Sequence, residues 1–295
     1  KRQGSGGNGS GNGHGKGRGH DHGNGHGNGH GHGHGNGRSI KDLPWAAVSH
    51  SVGTASDDSM TGADQRDWMR GRAGNDELAG GAGDDRLDGG RGNDRIVAGA
   101  GNDFARGRDG NDRFVATEGD GDDTYLGEDG EDTLDMSAIL ASIRADLGSG
   151  GGRGLVESAA TGRDVIRGVE NIVTGAGDDV ITASAAANVM DGGAGNDTFR
   201  FLSARDADGD TILNFAPGDR IDLSAIDARR GTSGNEAFTL VTGTEAGVGQ
   251  IVVTHETRED GVYTVVTGRT GDGEDDDFSL SIRGLHNLTA NDFNL

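Results

Sequence analysis

The chain has 295 residues, of which 59 are glycine, 49 are acidic and 27 are lysine or arginine, giving a net charge of -22. Only 31% of the residues are hydrophobic and 4% are aromatic. Burial of so few apolar side chains should not offset the entropy of ordering a glycine-rich backbone, which excludes an ordinary globular domain of this length. Cysteine is absent, so neither disulfides nor thiolate-bound zinc supply the missing stability. The remaining candidate is a metal ion that is bound through oxygen atoms.

Residues 1–43 form a low-complexity arm in which glycine alternates with asparagine, histidine and arginine. The arm carries six basic and two acidic residues, a net charge of +4, in a chain that is otherwise strongly acidic. Because it has almost no apolar side chains to bury, we expect a disordered tether. Two alternatives are a histidine site for zinc, nickel or copper, and stacking of silk-like strands between molecules.

A nine-residue repeat begins at Gly53 and runs through seven units without a gap. The eighth position of each unit is apolar, and the sixth is an aspartate in all seven: Asp58, Asp67, Asp76, Asp85, Asp94, Asp103 and Asp112. The period resumes after a two-residue insertion and again near residue 174, which adds Asp123, Asp132, Asp179 and Asp197. Polar turns alone do not require one residue type every nine positions, so these aspartates are predicted metal ligands.

The repeat also predicts the fold. Glycines allow a tight turn in each unit, and the last three residues form a short strand whose middle side chain points inward. Two units therefore make one flattened coil, and residues 18 apart occupy equivalent places in adjacent coils. We predict an all-β chain consisting of a right-handed parallel β-roll, a C-terminal β-sandwich-like cap and the disordered arm.

The 18-residue spacing sorts the aspartates into columns along the two edges of the roll. One column starts at Asp58 and the other at Asp67. Carboxylates stacked about 4.8 Å apart repel one another unless cations lie between them. Hard oxygen ligands select Ca²⁺ over zinc or copper. We therefore predict several Ca²⁺ ions shared by aspartates of adjacent coils, with weaker binding in the first two units, which have Ser56 and Gln65 at the fourth position instead of glycine.

These units resemble the glycine-rich nonapeptide of RTX proteins, the haemolysin-type calcium-binding repeats. Residues 135–295 resemble the C-terminal region of serralysin-type metalloproteases and other type I secretion substrates, through the phrases GVENI (168–172), DTILNF (210–215), DRIDLS (219–224) and LTANDFNL (288–295). The resemblance implies a protein that is secreted by a type I apparatus through an uncleaved C-terminal signal. Its expected location is extracellular or at the cell surface.

The chain divides into five predicted segments. They are the arm at 1–43, a first repeat block at 44–135, connecting β-roll coils at 136–173, a second repeat block at 174–200, and the cap with its secretion signal at 201–295. Alternating apolar residues predict cap strands at 238–241, 250–253 and 262–266.

Motifs of common enzymes are missing from the sequence. The zinc-protease motif HExxH fails, because the nearest match starts at His255 and ends in glutamate. Neither GxSxG nor GxxxxGK occurs. The acidic balance speaks against nucleic acid, and no run reaches the roughly 18 apolar residues of a membrane helix. We therefore expect no enzyme activity, no nucleic-acid partner and no membrane insertion.

Two functions remain. The first is a secreted, calcium-folded protein with a structural, adhesive, matrix or surface-layer role, whose partners would be further copies of itself or a cell surface. The second is the export and folding module of a secreted metalloprotease or other hydrolase whose catalytic domain is absent, lost or removed before Lys1.

Overall fold

The computed structural model describes residues 49–148, 152–271 and 277–295. These residues form short strands joined by tight turns, with a four-residue helix α1 (Ala204–Ala207) and a 3-10 helix (Ala290–Asp292) near the C-terminus. The prediction of an all-β chain is confirmed. The low-complexity arm, with its histidines, lies outside the described residues.

The first repeat block holds ten strands: β1 (Ser49–Val52), β2 (Ser59–Thr61), β3 (Asp67–Ala73), β4 (Glu77–Ala82), β5 (Arg86–Arg91), β6 (Arg95–Ala100), β7 (Phe104–Asp109), β8 (Arg113–Val115), β9 (Thr124–Asp129) and β10 (Thr133–Asp135). The connecting coils hold β11 (Ile143–Asp146), β12 (Gly154–Ser158), β13 (Gly162–Arg167) and β14 (Asn171–Val173). The second block holds β15 (Val180–Thr182), β16 (Val189–Asp191) and β17 (Thr198–Arg200). The C-terminal segment holds β18 (Thr211–Ile212), β19 (Arg220–Asp222), β20 (Thr239–Val241), β21 (Gln250–Arg258), β22 (Gly261–Arg269), β23 (Asp277–Arg283) and β24 (Phe293–Asn294).

Successive strands alternate between two 12-stranded sheets, as a roll of two strands per coil requires. The first sheet has the order β1-β3-β5-β7-β9-β13-β12-β11-β15-β17-β19-β24. The second has the order β2-β4-β6-β8-β10-β14-β16-β18-β23-β22-β21-β20. Neighbours within the repeat blocks pair in parallel, which confirms the predicted β-roll.

The core is one column of side chains between the sheets, built from the eighth position of each unit. In the second sheet Leu78 pairs with Ile96, and Ile96 with Phe114, at the predicted separation of 18 residues. Each of these three side chains is completely buried. Each coil contributes only two such side chains, one from each sheet. The apolar area that is buried per residue is therefore small.

The fourth-position glycines are required by the geometry of the turn. Gly74 and Gly92 have φ angles of 110° and 115°, a region that residues with a side chain rarely adopt. A Cβ on Gly92 would also strike the carbonyl group of Gly74 in the preceding coil. The fourth position therefore needs glycine both for its backbone angle and for the close stacking of coils.

Two insertions interrupt the regular roll. The antiparallel hairpin of β12 and β13 enters the first sheet between β9 and β11. At the C-terminal end, β21, β22 and β23 pair antiparallel and continue the second sheet, so the predicted cap strands extend the roll itself. Strands β10, β14 and β17 end at Asp135, Val173 and Arg200, and the division into five segments stays a prediction.

Candidate metal sites

The sixth-position aspartates stack in columns, and each is tied to the next coil by a hydrogen bond. The main-chain N–H of Asp58 donates to Oδ1 of Asp76 at 2.8 Å, and that of Asp76 donates to Oδ1 of Asp94 at 2.7 Å. The same link joins Asp94 to Asp112, Asp112 to Asp132, Asp67 to Asp85, Asp85 to Asp103, Asp103 to Asp123 and Asp179 to Asp197. The structure therefore places the aspartates along the two edges that the spacing predicts, and one oxygen of each links adjacent coils.

A second ladder of side chains runs beside the first in the opposite direction. At the fifth position of the unit, the N–H of Asn93 donates to Oδ1 of Asn75 at 2.7 Å, and the N–H of Asn111 donates to Oδ1 of Asn93 at 2.9 Å. Asparagine and aspartate both supply this acceptor, which explains why either residue occupies the position. Two fifth-position residues depart from this pattern: Arg66 donates to the Asp84 carboxylate of the next coil at 2.7 Å, and Glu131 keeps only the N–H that donates to Oδ1 of Asn111.

The second carboxylate oxygen of most of these aspartates is buried and unpaired. Among the described residues, Oδ2 has no hydrogen-bond partner in Asp76, Asp85, Asp94, Asp103, Asp112, Asp132, Asp179 and Asp197. The aspartates themselves are at most 4% exposed. A buried carboxylate oxygen without a partner is costly, so a regular row of them indicates that something else occupies this position.

The first glycine of the unit shows what surrounds the free oxygen. A Cβ built on Gly71 would touch Oδ2 of Asp76 and would lie 2.6 Å from the carbonyl oxygen of Gly89, which belongs to the next coil. The free carboxylate oxygen and a main-chain carbonyl therefore face the same small space. Ala98 holds the equivalent position three units after Gly71, so a methyl group is tolerated there.

Burial controls the electrostatics of these carboxylates. It raises the pKa of Asp94 to about 6 and the pKa values of Asp103, Asp112 and Asp197 to about 7. Repulsion between successive aspartates, which the sequence suggested as the main cost, is the smaller effect, because each Oδ1 is turned to an N–H group. The free Oδ2 atom of each aspartate therefore faces a main-chain carbonyl group and not a second carboxylate.

In three of the predicted ligands, Oδ2 already accepts a hydrogen bond. Oδ2 of Asp58 accepts from the N–H of Thr54 at 2.6 Å, and Oδ2 of Asp67 accepts from that of Ala63 at 2.8 Å. Oδ2 of Asp123 accepts from the Tyr125 hydroxyl at 2.7 Å. The first two lie in the units that lack the fourth glycine, where weak binding stays the prediction.

The structure adds acidic residues that the sequence analysis missed. Asp164 Oδ1 accepts from the N–H of Asp123, and Asp210 Oδ1 accepts from that of Asn188. Both continue the columns, and both have an Oδ2 that is buried and unpaired among the described residues. Their separations from the preceding members are 41 and 22 residues, so the nine-residue period hides them. The sequence could have revealed them through an aspartate two residues before an inward-facing isoleucine, as in Asp164-Val165-Ile166.

Within the described part of the chain, no three His, Cys, Asp or Glu side chains surround one point as a closed metal site. Most turns of the repeat offer one free carboxylate oxygen beside main-chain carbonyls. Such an all-oxygen set, largely neutral and provided by turns, fits Ca²⁺ and does not fit zinc or copper. In the parts of the chain that the structure describes, no helix is long and apolar enough to span a bilayer.

A parallel roll whose turns present repeated, buried aspartates defines a calcium-binding repeat protein. Residues 52–87 and 88–120 match the RTX calcium-binding nonapeptide repeat. Residues 126–295 match the peptidase M10 serralysin C-terminal domain, and the chain belongs to this family. Neither match is to a catalytic domain. Together they describe a secreted, calcium-binding β-roll of the type I secretion class.

Comparison with solved structures gives weak similarity. The AlgE6R3 and AlgE6R2 subunits of the Azotobacter vinelandii mannuronan C5-epimerase are 23% and 22% identical, both with a TM-score of 0.34, over 64% of this chain and 80% and 89% of theirs. The extracellular lipase LipA of Serratia marcescens is 11% identical with a TM-score of 0.23, over 84% of this chain and 40% of the lipase. No curated protein matches the chain significantly.

Proposed function

We propose that this protein folds on binding several Ca²⁺ ions along both edges of its roll, and that it then serves a structural or adhesive role outside the cell. The observation that carries the proposal is the row of buried Oδ2 atoms without partners. Each would ligate one ion together with carbonyl oxygens of its own and the next coil. The predicted ligands with such an oxygen are Asp76, Asp85, Asp94, Asp103, Asp112, Asp132, Asp179 and Asp197.

The charge distribution supports bound cations rather than ion pairs. All lysines lie within the first 43 residues. The ion pairs between described residues use acids outside the sixth position, such as Asp84, Asp88 and Asp135, and none of the eight turn aspartates. The buried negative charge of the turns is therefore not neutralised by the protein's own basic groups.

Calcium supply would then control folding. Extracellular calcium modules commonly bind with dissociation constants of about 10⁻⁴ to 10⁻³ M, far above the affinities of cytosolic sensors. At a free concentration one hundred times the dissociation constant, each independent site stabilises the folded state by about 2.7 kcal/mol. The chain would remain expanded where calcium is scarce and would fold where it is abundant.

Strands β1 and β2 support the structural role, because they are the exposed edge strands at the N-terminal end of the two sheets. Open edges can pair with another chain, so self-association through this end is part of the proposal. Light scattering on purified protein should show an increase in particle size after millimolar calcium is added, and a persistent monomer would contradict self-association.

The serralysin match favours a second candidate function, an export and folding module of a secreted enzyme. A catalytic HExxH domain encoded upstream would support this candidate.

Replacement of Asp94 by asparagine tests the proposed ligands. Asparagine keeps the acceptor for the Asp76 N–H but removes the charge and the oxygen that would bind the ion. We expect loss of about one bound Ca²⁺ and of about 2.7 kcal/mol in saturating calcium, which lowers Tm by about 5–10 °C. Equilibrium dialysis and thermal unfolding measure both quantities. Asp109→Asn is the matched control, since Asp109 is exposed and should change neither quantity; equal effects of the two variants would refute the assignment.

The first coil should respond differently. Oδ2 of Asp58 is already bonded to the N–H of Thr54, so Asp58→Asn should leave calcium stoichiometry unchanged. The expected destabilisation is about 1 kcal/mol or less, the contribution of one hydrogen bond. A calcium loss as large as that of Asp94→Asn would show that the first coil binds as strongly as the others.

A further inference from the structure

A group of buried polar side chains lies where the two-residue insertion meets the connecting coils. Asp120, Asp123 and Tyr125 come from one coil, and Thr161 and Asp164 come from the next. All five are at most 1% exposed. Asp120 and Thr161 occupy the third position of their units, outside the position that the repeat reserves for aspartate.

The strand register stacks these side chains in pairs. Tyr125 pairs with Ile166 across β9 and β13, an offset of 41 residues. The same offset relates Asp120 to Thr161 and Asp123 to Asp164, and the N–H of Asp123 donates to Oδ1 of Asp164 at 2.9 Å. The two third-position side chains therefore lie on the same edge of the roll as the two carboxylates.

This turn differs from most others because a hydroxyl group donates a hydrogen bond to the carboxylate oxygen that is free elsewhere. Tyr125 points its hydroxyl out of the core and donates to Oδ2 of Asp123 at 2.7 Å. The oxygen that would bind an ion elsewhere in the repeat is therefore satisfied here. Both Asp120 and Asp164 nevertheless lie close enough to Tyr125 that their charges help to raise the pKa of its hydroxyl, after burial itself.

Three buried oxygens in this group remain without a partner among the described residues: Oδ1 of Asp120, Oγ1 of Thr161 and Oδ2 of Asp164. The Thr161 hydroxyl lies beside the Asp164 carboxylate and lowers its pKa, although it makes no well-formed hydrogen bond. Burial is the largest cause of the raised pKa values of the two aspartates, and their mutual repulsion adds to it at Asp164. Among the described residues no basic side chain pairs with either acid, so a bound cation would neutralise the two carboxylates when they are ionised.

We propose that Asp120, Thr161 and Asp164 form an additional Ca²⁺ site across two coils, in which the column aspartate Asp164 is joined by two third-position side chains. Its ligands are two carboxylate oxygens and one hydroxyl oxygen, and turn carbonyls complete the shell. The inference rests on the proposed calcium binding but concerns a different set of ligands. The site would fasten the connecting coils, with their inserted hairpin, to the first repeat block.

Tyr125 provides a local reporter for this site. The chain has two tyrosines and two tryptophans, so replacing Trp45, Trp68 and Tyr263 by phenylalanine leaves Tyr125 as the sole sensitiser of bound Tb³⁺. We expect tyrosine-sensitised terbium emission that Ca²⁺ displaces. Asp120→Asn should weaken the Tb³⁺ affinity measured through Tyr125 by about tenfold or more and should remove one Ca²⁺ equivalent in dialysis.

The matched control is Asp122→Asn, which changes an exposed acid two residues away and should leave emission and stoichiometry unchanged. Thr161→Val keeps every carboxylate and should weaken the same signal, which provides a second variant if a charge change prevents folding. Equal emission and affinity in the Asp120→Asn and Asp122→Asn proteins would overturn the additional site. Failure of the unsubstituted protein to bind any calcium would instead refute the proposed function.

Discussion

Chelation of calcium with EDTA should unfold the repeat blocks of this protein. Two sites at one hundred times their dissociation constant already supply about 5 kcal/mol, which equals the lower end of the unfolding free energy of ordinary domains. The core of the roll cannot replace the stabilisation that is lost with the ions, because each coil buries only two eighth-position side chains. Without ions, most turns keep a buried carboxylate oxygen that has no partner among the described residues. Circular dichroism should show loss of strand signal, and gel filtration should show expansion.

Hydrogen exchange gives this prediction an internal control. Strands β21, β22 and β23 pack Val266, Phe278 and Leu280 into the core and belong to the cap rather than to a repeat block. We expect exchange in EDTA to rise first and most in β3 to β10. Magnesium should not restore protection, because it requires a tighter octahedral shell than these turns provide. Unchanged protection of β3 to β10 in EDTA would refute calcium-dependent folding.

Acid should have opposite effects on the stability of the calcium-free fold and on its affinity for calcium. In the folded chain without calcium, burial raises the pKa of Asp132 to about 6 and the pKa values of Asp103 and Asp112 to about 7, from 3.8. Between pH 4 and pH 7 the folded form therefore holds protons that the unfolded form has lost. The stability from these protons is complete below pH 3.8 and is lost as pH rises through 6 to 7. Calcium-free protein should gain structure on acidification from pH 8 to pH 5.

Calcium binding has the reverse dependence, since the carboxylate must lose its proton to ligate the ion. The affinity of the folded chain for calcium should fall as pH drops below about 7, by up to about tenfold per pH unit for an ion with one titrating carboxylate. The calcium concentration at the folding midpoint should not rise, because the unfolded chain has also lost these protons above pH 4. Equilibrium dialysis at several pH values at which circular dichroism shows a folded calcium-free chain measures this affinity. Repeating the dialysis in 1 M salt separates buried carboxylates from the general repulsion of a chain with net charge -22, because salt screens only the latter. An affinity of the folded chain that is independent of pH would contradict proton competition.

The regular part of the fold was predictable because a strict period fixes both the strand and its partner. The separation of 18 residues between Leu78 and Ile96 follows directly from two nine-residue units per coil. The sequence also predicted the apolar eighth position of each unit and, from alternating apolar residues, the strands of the cap. The hairpin of β12 and β13 was not predicted, because its placement between β9 and β11 depends on long-range pairing that no local pattern encodes.

The candidate sites were predictable in position but not in detail. Spacing placed Asp76 and Asp94 in one column, but it could not show that one oxygen of each binds a main-chain N–H. It also could not show that Tyr125 satisfies Asp123, since a core residue gives no sign that its hydroxyl reaches a turn. Asp164 and Asp210 were missed because insertions of unequal length separate them from the period.

The buried ladder of the sixth position has a direction. The N–H of each earlier coil meets the carboxylate of the later one, as Asp76 does with Asp94, whereas the opposed fifth-position ladder lies in the exposed layer. An unpaired N–H is costlier inside a protein than at its surface. The N–H of a sixth-position residue is thus satisfied only when the following coil is folded, and we expect the roll to fold from its carboxyl-terminal end. Removal of carboxyl-terminal coils should therefore destabilise the rest of the roll more than removal of amino-terminal coils.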